Sequence, residues 1–495
     1  MKSFKLPVIL LSLIVCQPLS ADVKSHNKLT LADVQQAAEQ AFPLLLAAEQ
    51  RRISVEGDLL SAEGGFDTQL KGQARWSIAG LFENENYDVN IEQPTSFFGT
   101  TFFGGWRRGT GTYPIYEGKS QTANDGELRI GVNVPLWRNR DIDRRRAALK
   151  QAELAKLIAG HDVEQALLQV RQQAAYRYWD WVLAGQRLKL TEKLLATAEA
   201  RNQAILDRVA LGEIPQFEAV ENQRAIIERQ ERKVAAQRLL EQSAIQLSLF
   251  WRDAEGQPML PDSTQLPDGF PEQEPALALD IEQALSTAQA QRPELNKLGL
   301  QQKQTETDLE LHNNQQAPGI DFSVQGAFDS GTFVPAQTGS SSINRSINRD
   351  EVYLGLNIDI PLQQRVAKGR AKSAAANLRR LQLEKQQAEN QIAAEIKDVF
   401  SKLAAARKRL ELSKAQLQTA QLLQEGEQQR FDLGESNILI VNLREITSGD
   451  AGIAVIEAAN SLFKAHADFQ VALGAVEKNP SHQSGIKQSI GSNFN

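Results

Sequence analysis

One cysteine in 495 residues, Cys16, leaves no internal disulfide and no cysteine-built zinc or iron–sulfur site to consider. Histidine is almost as sparse: His26, His161, His312, His466 and His482 include no pair at a His-x-x-x-His ligand spacing, so no metal site is read from the sequence. Positive charge is not in excess. The 55 Lys and Arg face 61 Asp and Glu, a formal charge of −6, which argues against a nucleic-acid-binding domain. Neither a Gly-x-Ser-x-Gly elbow nor a Gly-x-x-x-x-Gly-Lys-Ser/Thr phosphate loop occurs. The reading is of a protein that is not an enzyme, with no catalytic residue and no cofactor.

Hydrophobic residues make up 41% of the chain, yet its mean hydropathy is −0.38. Alanine and leucine diluted by Gln, Glu, Lys and Arg is the composition of long helices with narrow apolar seams. One continuous apolar run, 6–15, follows Lys2 and Lys5 and precedes Leu19-Ser20-Ala21. It reads as a signal peptide over 1–21, too short for a membrane span. Its removal takes away both lysines and the lone cysteine and leaves a charge of about −8. Lipid attachment at Cys16 is the alternative, although Val15 stands where a small residue is usual. No later stretch suits a transmembrane helix, so a membrane crossing by this exported chain requires strands.

The mature chain falls into two similar halves. Leu29-Thr30-Leu31 through Phe42-Pro43-Leu44 parallels Leu279-Asp280-Ile281 through Arg292-Pro293-Glu294, 250 residues on. Val132-Asn133-Val134-Pro135-Leu136 matches Ile358-Asp359-Ile360-Pro361-Leu362, and Leu211-Gly212-Glu213 matches Leu433-Gly434-Glu435. These anchors define two structural repeats, 22–252 and 279–476. A proline-rich linker, 253–278, joins them midway along the molecule, and 477–495 reads as a loose polar tail.

Each repeat predicts the same order of elements: a helix (31–64; 279–316), two strands, a long helix, a tight turn and a returning helix. The strands are 65–80 and 127–136, then 320–328 and 352–362. Leu128, Ile130, Val132, Val134 and Leu136 alternate with polar or small residues, as do Leu354, Leu356, Ile358, Ile360 and Leu362. About ten such residues, tilted, span a bilayer. Between paired strands, 81–125 and about 329–351 read as long loops. The first carries Phe82, Tyr87, Phe97, Phe98, Phe102, Phe103, Trp106, Tyr113 and Tyr116, aromatic content suited to the girdle or surface loops of a barrel.

After each second strand the apolar period becomes helical. Residues 138–210 and 363–432 predict rods of about 105 Å each. Ile396, Val399, Leu403, Ala406, Leu410, Leu417 and Ala420 form a coiled-coil seam in one, with Ala174, Trp181, Ala184, Leu188, Leu195 and Ala198 at matching places in the other. The tips, 211–215 and 433–436, turn on Gly212 and Gly434. The returning helices, 216–252 and 436–475, are half as long as the rods, and stacking them on the N-terminal helices supplies the missing length. The fold class is therefore mainly α with a β portion: helical cylinder walls ending in four strands. Four strands cannot close around a pore, whereas three copies would supply twelve.

With these residues in view, the chain resembles the TolC-like outer-membrane efflux protein family. The carriers are Leu29-Thr30-Leu31…Pro43 with its partner Leu279-Asp280-Ile281…Pro293, the junctions Pro135-Leu136 and Pro361-Leu362, and the turns RVALGEIPQFEAV (208–220) and RFDLGESNILIVNL (430–443). The resemblance implies a homotrimer with a twelve-stranded barrel in the outer membrane and a long periplasmic α-helical barrel. It implies an exit duct of a tripartite efflux pump or type I secretion system, partnered by a periplasmic adaptor (membrane fusion) protein and an inner-membrane transporter. The chain departs from the family's turns where Pro215 replaces a hydroxyl residue, Ile440 an acid and Phe431 a common tyrosine, which puts the family's tip-closing polar network in doubt.

Candidate functional residues follow from this layout. Glu218 and Glu221, three apart just after the first tip, are candidates for a pore constriction, because rings of carboxylates tune ion passage. Leu211, Gly212, Glu213, Leu433, Gly434 and Glu435 are candidate adaptor contacts at exposed tips. Arg138, Arg140, Arg144, Arg365, Lys368 and Arg370 form a cationic collar below the barrel. The rival reading, a periplasmic coiled-coil adaptor or scaffold without a barrel, accounts for the rods but not for bilayer-length amphipathic strands.

Overall fold

The computed structural model describes residues 28–113, 121–274, 279–332 and 350–474. The segment 1–21 read as a signal peptide, with Cys16, and also Tyr116, the end of the linker and the tail beyond 474 lie outside the described residues.

Thr30 opens α1 (Leu31–Ala41): its hydroxyl accepts the Asp33 amide while Asp33 accepts the Thr30 amide. In the second repeat Asp280 and Gln283 make the same box for α5 (Ile281–Gln291). The sequence predicts one helix over 31–64 and another over 279–316, but each forms two. Helix α2 (Pro43–Glu63) and helix α6 (Pro293–Asn314) begin on proline, and Phe42 and Arg292 before them are extended. Proline has no N–H for the helix ladder and disfavours helical geometry in the preceding residue, so each column bends there.

The long rods are α3 (Arg144–Ala210) and α7 (Arg365–Asp432), 67 and 68 residues, or about 100 Å each. They return as α4 (Gln216–Ser248) and α8 (Ile438–Leu473). Near the sheet the helices stand in the row α2-α3-α6-α7; toward the tips α3 packs on α4, α7 on α8, and α3 on α8. On α7 the seam residues Ile396, Val399, Leu403 and Ala406 are buried, Ile396 and Leu403 completely. The largest core lies midway along the rods, where Trp179, Trp181, Val182, Leu247, Phe250 and Phe463 pack with Leu266 of the linker. Gly185 is required there: a Cβ would run into the Leu266 side chain.

The sheet corrects the strand count. Six strands form among the described residues, in the order β1-β2-β3-β4-β5-β6. They are β1 (Gln69–Ser77), β2 (Asn84–Pro94), β3 (Thr101–Gly111), β4 (Gly126–Pro135), β5 (Gly319–Ser330) and β6 (Glu351–Asp359), each antiparallel to the next. The segment 81–125, read as a loop, thus contains a complete hairpin, β2–β3, inserted between the two strands predicted for the first repeat. Its residues hid it. Strand β2 places Asn84, Asn86, Asp88, Asn90 and Glu92 on one face, with Tyr87, Val89 and Ile91 on the other, and β3 carries Gly104, Gly105, Gly109 and Gly111. Asn, Asp and Gly are depleted in strands of ordinary half-buried sheets. With six strands per chain, twelve strands no longer follow from three copies.

Candidate functional site

The cross-strand register sorts the sheet into two unlike faces. One row runs Leu70, Ile91, Gly104, Ile130, Gly326, Val352 across all six strands. A neighbouring row runs Gly72, Val89, Trp106, Leu128, Phe328. The large side chains in both rows are exposed, as are Phe102, Leu354, Leu356 and Ile358 on the same face. Trp76 and Tyr87 sit at the end of this face away from the helices, the indole N–H donating to the phenol at 3.0 Å. No single helix of the described residues is long and apolar enough to cross a membrane. The sheet has the bilayer-length strands and the apolar band that a crossing needs.

The opposite face is charged and paired. Lys71 meets Glu92 at 2.5 Å, Arg107 meets Glu127 at 2.7 Å and Arg129 meets Asp88 at 2.6 Å. Two of these pairs need the β2–β3 hairpin for one partner and β4 for the other. The aromatics of 81–125 therefore divide: Tyr87, Phe102 and Trp106 lie on the apolar face, Phe103 on the charged face, Phe97 and Phe98 in the turn at the helical end, and Tyr113 is buried.

At the strand-to-helix junction Asp143 caps α3 by accepting the amides of Arg145 and Arg146. Arg138 pairs with Asp359 at 2.5 Å. A cleft of about 430 Å3 is lined by Arg138, Arg144, Arg365 and Arg370 together with His312 and Gln315. Four of the six collar candidates thus come together. Arg140 instead lies over the Phe98 ring, 5.4 Å from its centroid, and Lys368 is exposed outside that cleft. Like charges around one cleft act as a fixed positive potential toward anything passing it.

Both tips end their rods in the same way. Gly212 and Gly434 take φ of +76° and +80°. The Glu213 amide donates to the Arg208 carbonyl and the Gly212 amide to Val209; Glu435 and Gly434 do the same to Arg430 and Phe431. This is the Schellman closure, which satisfies carbonyls at a helix end and favours glycine at the left-handed position. Leu211 and Leu433 project at the apices, 75% and 76% exposed. Single apolar side chains held out on rigid turns are suited to insertion into a partner's groove.

Glu218 and Glu221 do not stand free in the chain. The Ile438 amide donates to Glu218 Oε2 at 2.8 Å, so α4 caps the start of α8. Glu221 is buried and held by Arg224 at 2.7 Å; that hydrogen bond keeps its carboxyl below the usual range. Beside them is a buried network that the sequence reading missed. Glu445, 2% exposed, accepts from Arg201 at 2.7 and 3.0 Å and from Arg229 at 2.5 Å. Arg201 also donates to Asn442 at 2.8 Å, and Arg229 to the Leu194 carbonyl at 2.8 Å. Burial pushes the Glu445 carboxyl up, but the two guanidinium groups outweigh it and the net shift is down. The signal available in the sequence was an arginine on α4, Arg229, in step with the buried Ala225, Ile226 and Ala236. Phe431, which lacks the hydroxyl of a latch, packs with Ile205, Ile438 and Val441 under Arg208. The polar tie between the tips runs through α3, α4 and α8 instead. No cluster of three His, Cys, Asp or Glu able to hold a metal ion occurs among the described residues.

No protein-family model matches the sequence, and no curated protein matches it. Solved structures match the fold over nearly its whole length. The open-state MtrE outer membrane channel of Neisseria gonorrhoeae gives a TM-score of 0.64 at 15% identity, covering 90% of this chain and 89% of that one. The CmeC outer membrane channel of Campylobacter jejuni gives 0.62 at 13% identity, covering 94% and 90%. The outer membrane protein VceC of Vibrio cholerae gives 0.63 at 14% identity, covering 90% and 96%. The chain has the fold of these outer-membrane channels.

Proposed function

We propose that the chain is the outer-membrane exit duct of an export machine and acts as a homotrimer. The observation that carries this is the two-faced sheet at one end of the rods: an apolar face of bilayer height backed by a face of paired charges. In a closed barrel the first faces lipid and the second lines water, so the sheet forms the pore wall. The rods, about 100 Å long, carry the duct across the periplasm. The likeness to outer-membrane channels supports the same placement.

In this reading the chain supplies a passive path from an inner-membrane transporter to the exterior, within either a tripartite efflux pump or a type I secretion system. The signal peptide directs export, and a periplasmic adaptor grips the tips through Leu211, Gly212, Glu213, Leu433, Gly434 and Glu435. Glu218 and Glu221 border the periplasmic entrance: Glu218 joins α4 to α8 and its charge disfavours anions, while Glu221, buried against Arg224, holds the wall beside it. The collar of Arg138, Arg144, Arg365 and Arg370 meets cargo as it leaves the helical section. No step makes or breaks a covalent bond.

The test is fractionation followed by reconstitution. The chain is expected in outer-membrane extracts as a trimer that shifts on heating, and to conduct ions in planar bilayers. Recovery in the soluble periplasmic fraction without detergent would overturn the reading. Glu218→Gln with Glu221→Gln should weaken cation preference, and unchanged selectivity would remove both residues from the constriction.

A further inference from the structure

The helix row α2-α3-α6-α7 and the sheet do not match one to one. Strand β1 continues α2, β4 leads into α3, β5 continues α6 and β6 leads into α7. The β2–β3 hairpin has no helix beneath it. It stands in the sheet between the strands joined to α2 and α3, and its inner turn rests on the junction. Gln93 donates to the Phe66 carbonyl at 2.7 Å, and Phe98 lies under Arg140. Gly99 is in the left-handed region, and a Cβ there would lie 2.5 Å from the Asn139 carbonyl. The hairpin carries the apolar row on one side, through Val89, Ile91, Phe102 and Trp106, and the ion pairs on the other. It is patterned as membrane wall on both faces.

Among the described residues, the outer strands β1 and β6 have no partner on their free sides. Hydrocarbon offers no hydrogen bonds, so those edges must pair with other copies. Six strands are an even number, so β6 of one copy meets β1 of the next antiparallel, like every other pair in the sheet. Strands about 4.8 Å apart and tilted about 40° each take about 6.3 Å of circumference. Four would span about 25 Å per chain and six about 38 Å. Four helices spaced 8–10 Å apart span about 32–40 Å. Six strands at this tilt fit the helical arc, whereas four would have to tilt by more than about 50° to span it.

We propose that three copies close into an eighteen-stranded barrel, and that the β2–β3 hairpin widens the exit through the membrane. Relative to twelve strands of the same tilt, the diameter is about 1.5-fold larger, about 36 Å against 24 Å between backbones. Barrels of sixteen to eighteen strands leave an aqueous channel. The cargo class this fits is bulky: a folded element or hairpin of an exported polypeptide passes where a narrower barrel holds it back. This rests on the trimeric duct reading.

The test measures the barrel directly in the full-length protein in nanodiscs. Single nitroxide labels are placed at Ile91→Cys and Asn90→Cys, on opposite faces of the hairpin, and at Leu356→Cys on β6 as a site outside it. Equivalent labels in three copies lie at the corners of a triangle, and averaging the inward and outward sites cancels the reach of the label. A mean distance of about 31 Å is expected for eighteen strands, against about 21 Å for twelve. The label at 91 should be accessible to oxygen and the one at 90 to a water-soluble nickel chelate. A distance near 21 Å, or both hairpin labels open to nickel, overturns the wider barrel and leaves the trimeric duct standing. Absence of any distance between copies, with a monomeric mass, overturns both.

Discussion

Replacing Arg201 by methionine removes the donor that ties α3 to the buried Glu445 of α8. Methionine keeps most of the arginine stem's volume, so the change is chiefly one of charge and hydrogen bonding. Glu445 is 2% exposed and loses the contacts at 2.7 and 3.0 Å; it keeps Arg229 at 2.5 Å. Leaving a buried charge with no partner costs about 3–5 kcal/mol. Here one partner remains, and the lost charge-assisted bonds are worth about 1.5–3 kcal/mol. Asn442 also loses its donor from Arg201. A local destabilisation of about 3 kcal/mol follows, which is more than a hundredfold in the opening equilibrium. The assay is amide hydrogen exchange at the tips, because local opening rather than global unfolding is at stake. Peptides covering 195–210 and 438–448 should exchange about a hundredfold faster, while peptides in the Trp181 core stay protected. The triple variant Arg201→Met, Arg229→Met, Glu445→Leu removes the whole network and should recover most of the protection, since well-packed apolar replacements of buried ion networks are often neutral or stabilising. Less than a fivefold change in the single variant would refute the view that this network holds the hairpins together.

Acid should loosen the tips: the Glu445 carboxyl titrates in the fold below its ordinary 4.5, so its contribution is full above pH 4.5 and is lost as pH falls through the lower, folded value. Exchange at the tips, corrected for intrinsic rates, should be flat from pH 7 to 4.5 and rise below that, and the rise should shrink in the triple variant. Gly105→Ala should weaken the inserted hairpin, because a Cβ would lie 2.5 Å from the Val89 carbonyl of the paired strand. A cost of about 1–3 kcal/mol should lower the temperature of the heat-induced gel shift, whereas Gly104→Ala, with its nearest contact at 3.6 Å, should leave it unchanged. Gly434→Val places a β-branched residue at φ +80° and should cost about 1–2 kcal/mol at the second tip, read as faster exchange over 430–438. Glu218→Gln keeps an acceptor for the Ile438 amide but removes the charge at the start of α8, so a loss of only about 0.3–1 kcal/mol is expected there.

The parts legible in the sequence were those that repeat locally. Alternation in Leu128–Leu136 and Leu354–Leu362 marked strands, and the Ile396–Ala420 seam marked a rod. Pro43 and Pro293 carried the helix breaks plainly, yet the shared periodicity on either side hid them. The hairpin was harder. Asn84, Asn86 and Asp88 look like loop residues until their partners Arg107, Gly109 and Gly111 are known, because a strand lining water in a barrel has no need of a buried second face. The collar was legible as a run of arginines after each junction, but not the separation of Arg140 onto Phe98.

By itself the amino-acid sequence determined the duplicated order of elements, the lengths of the rods and the two glycine turns, since each depends on residues a few places apart. Only the tertiary structure decided the strand count and the fate of the charges at the tip. Arg201 lies 244 residues from Glu445, and Arg229 lies 216. Whether such a carboxylate is a free charge at an entrance or a buried tie between helices depends on which faces pack together, and periodicity along one helix does not specify the helix opposite.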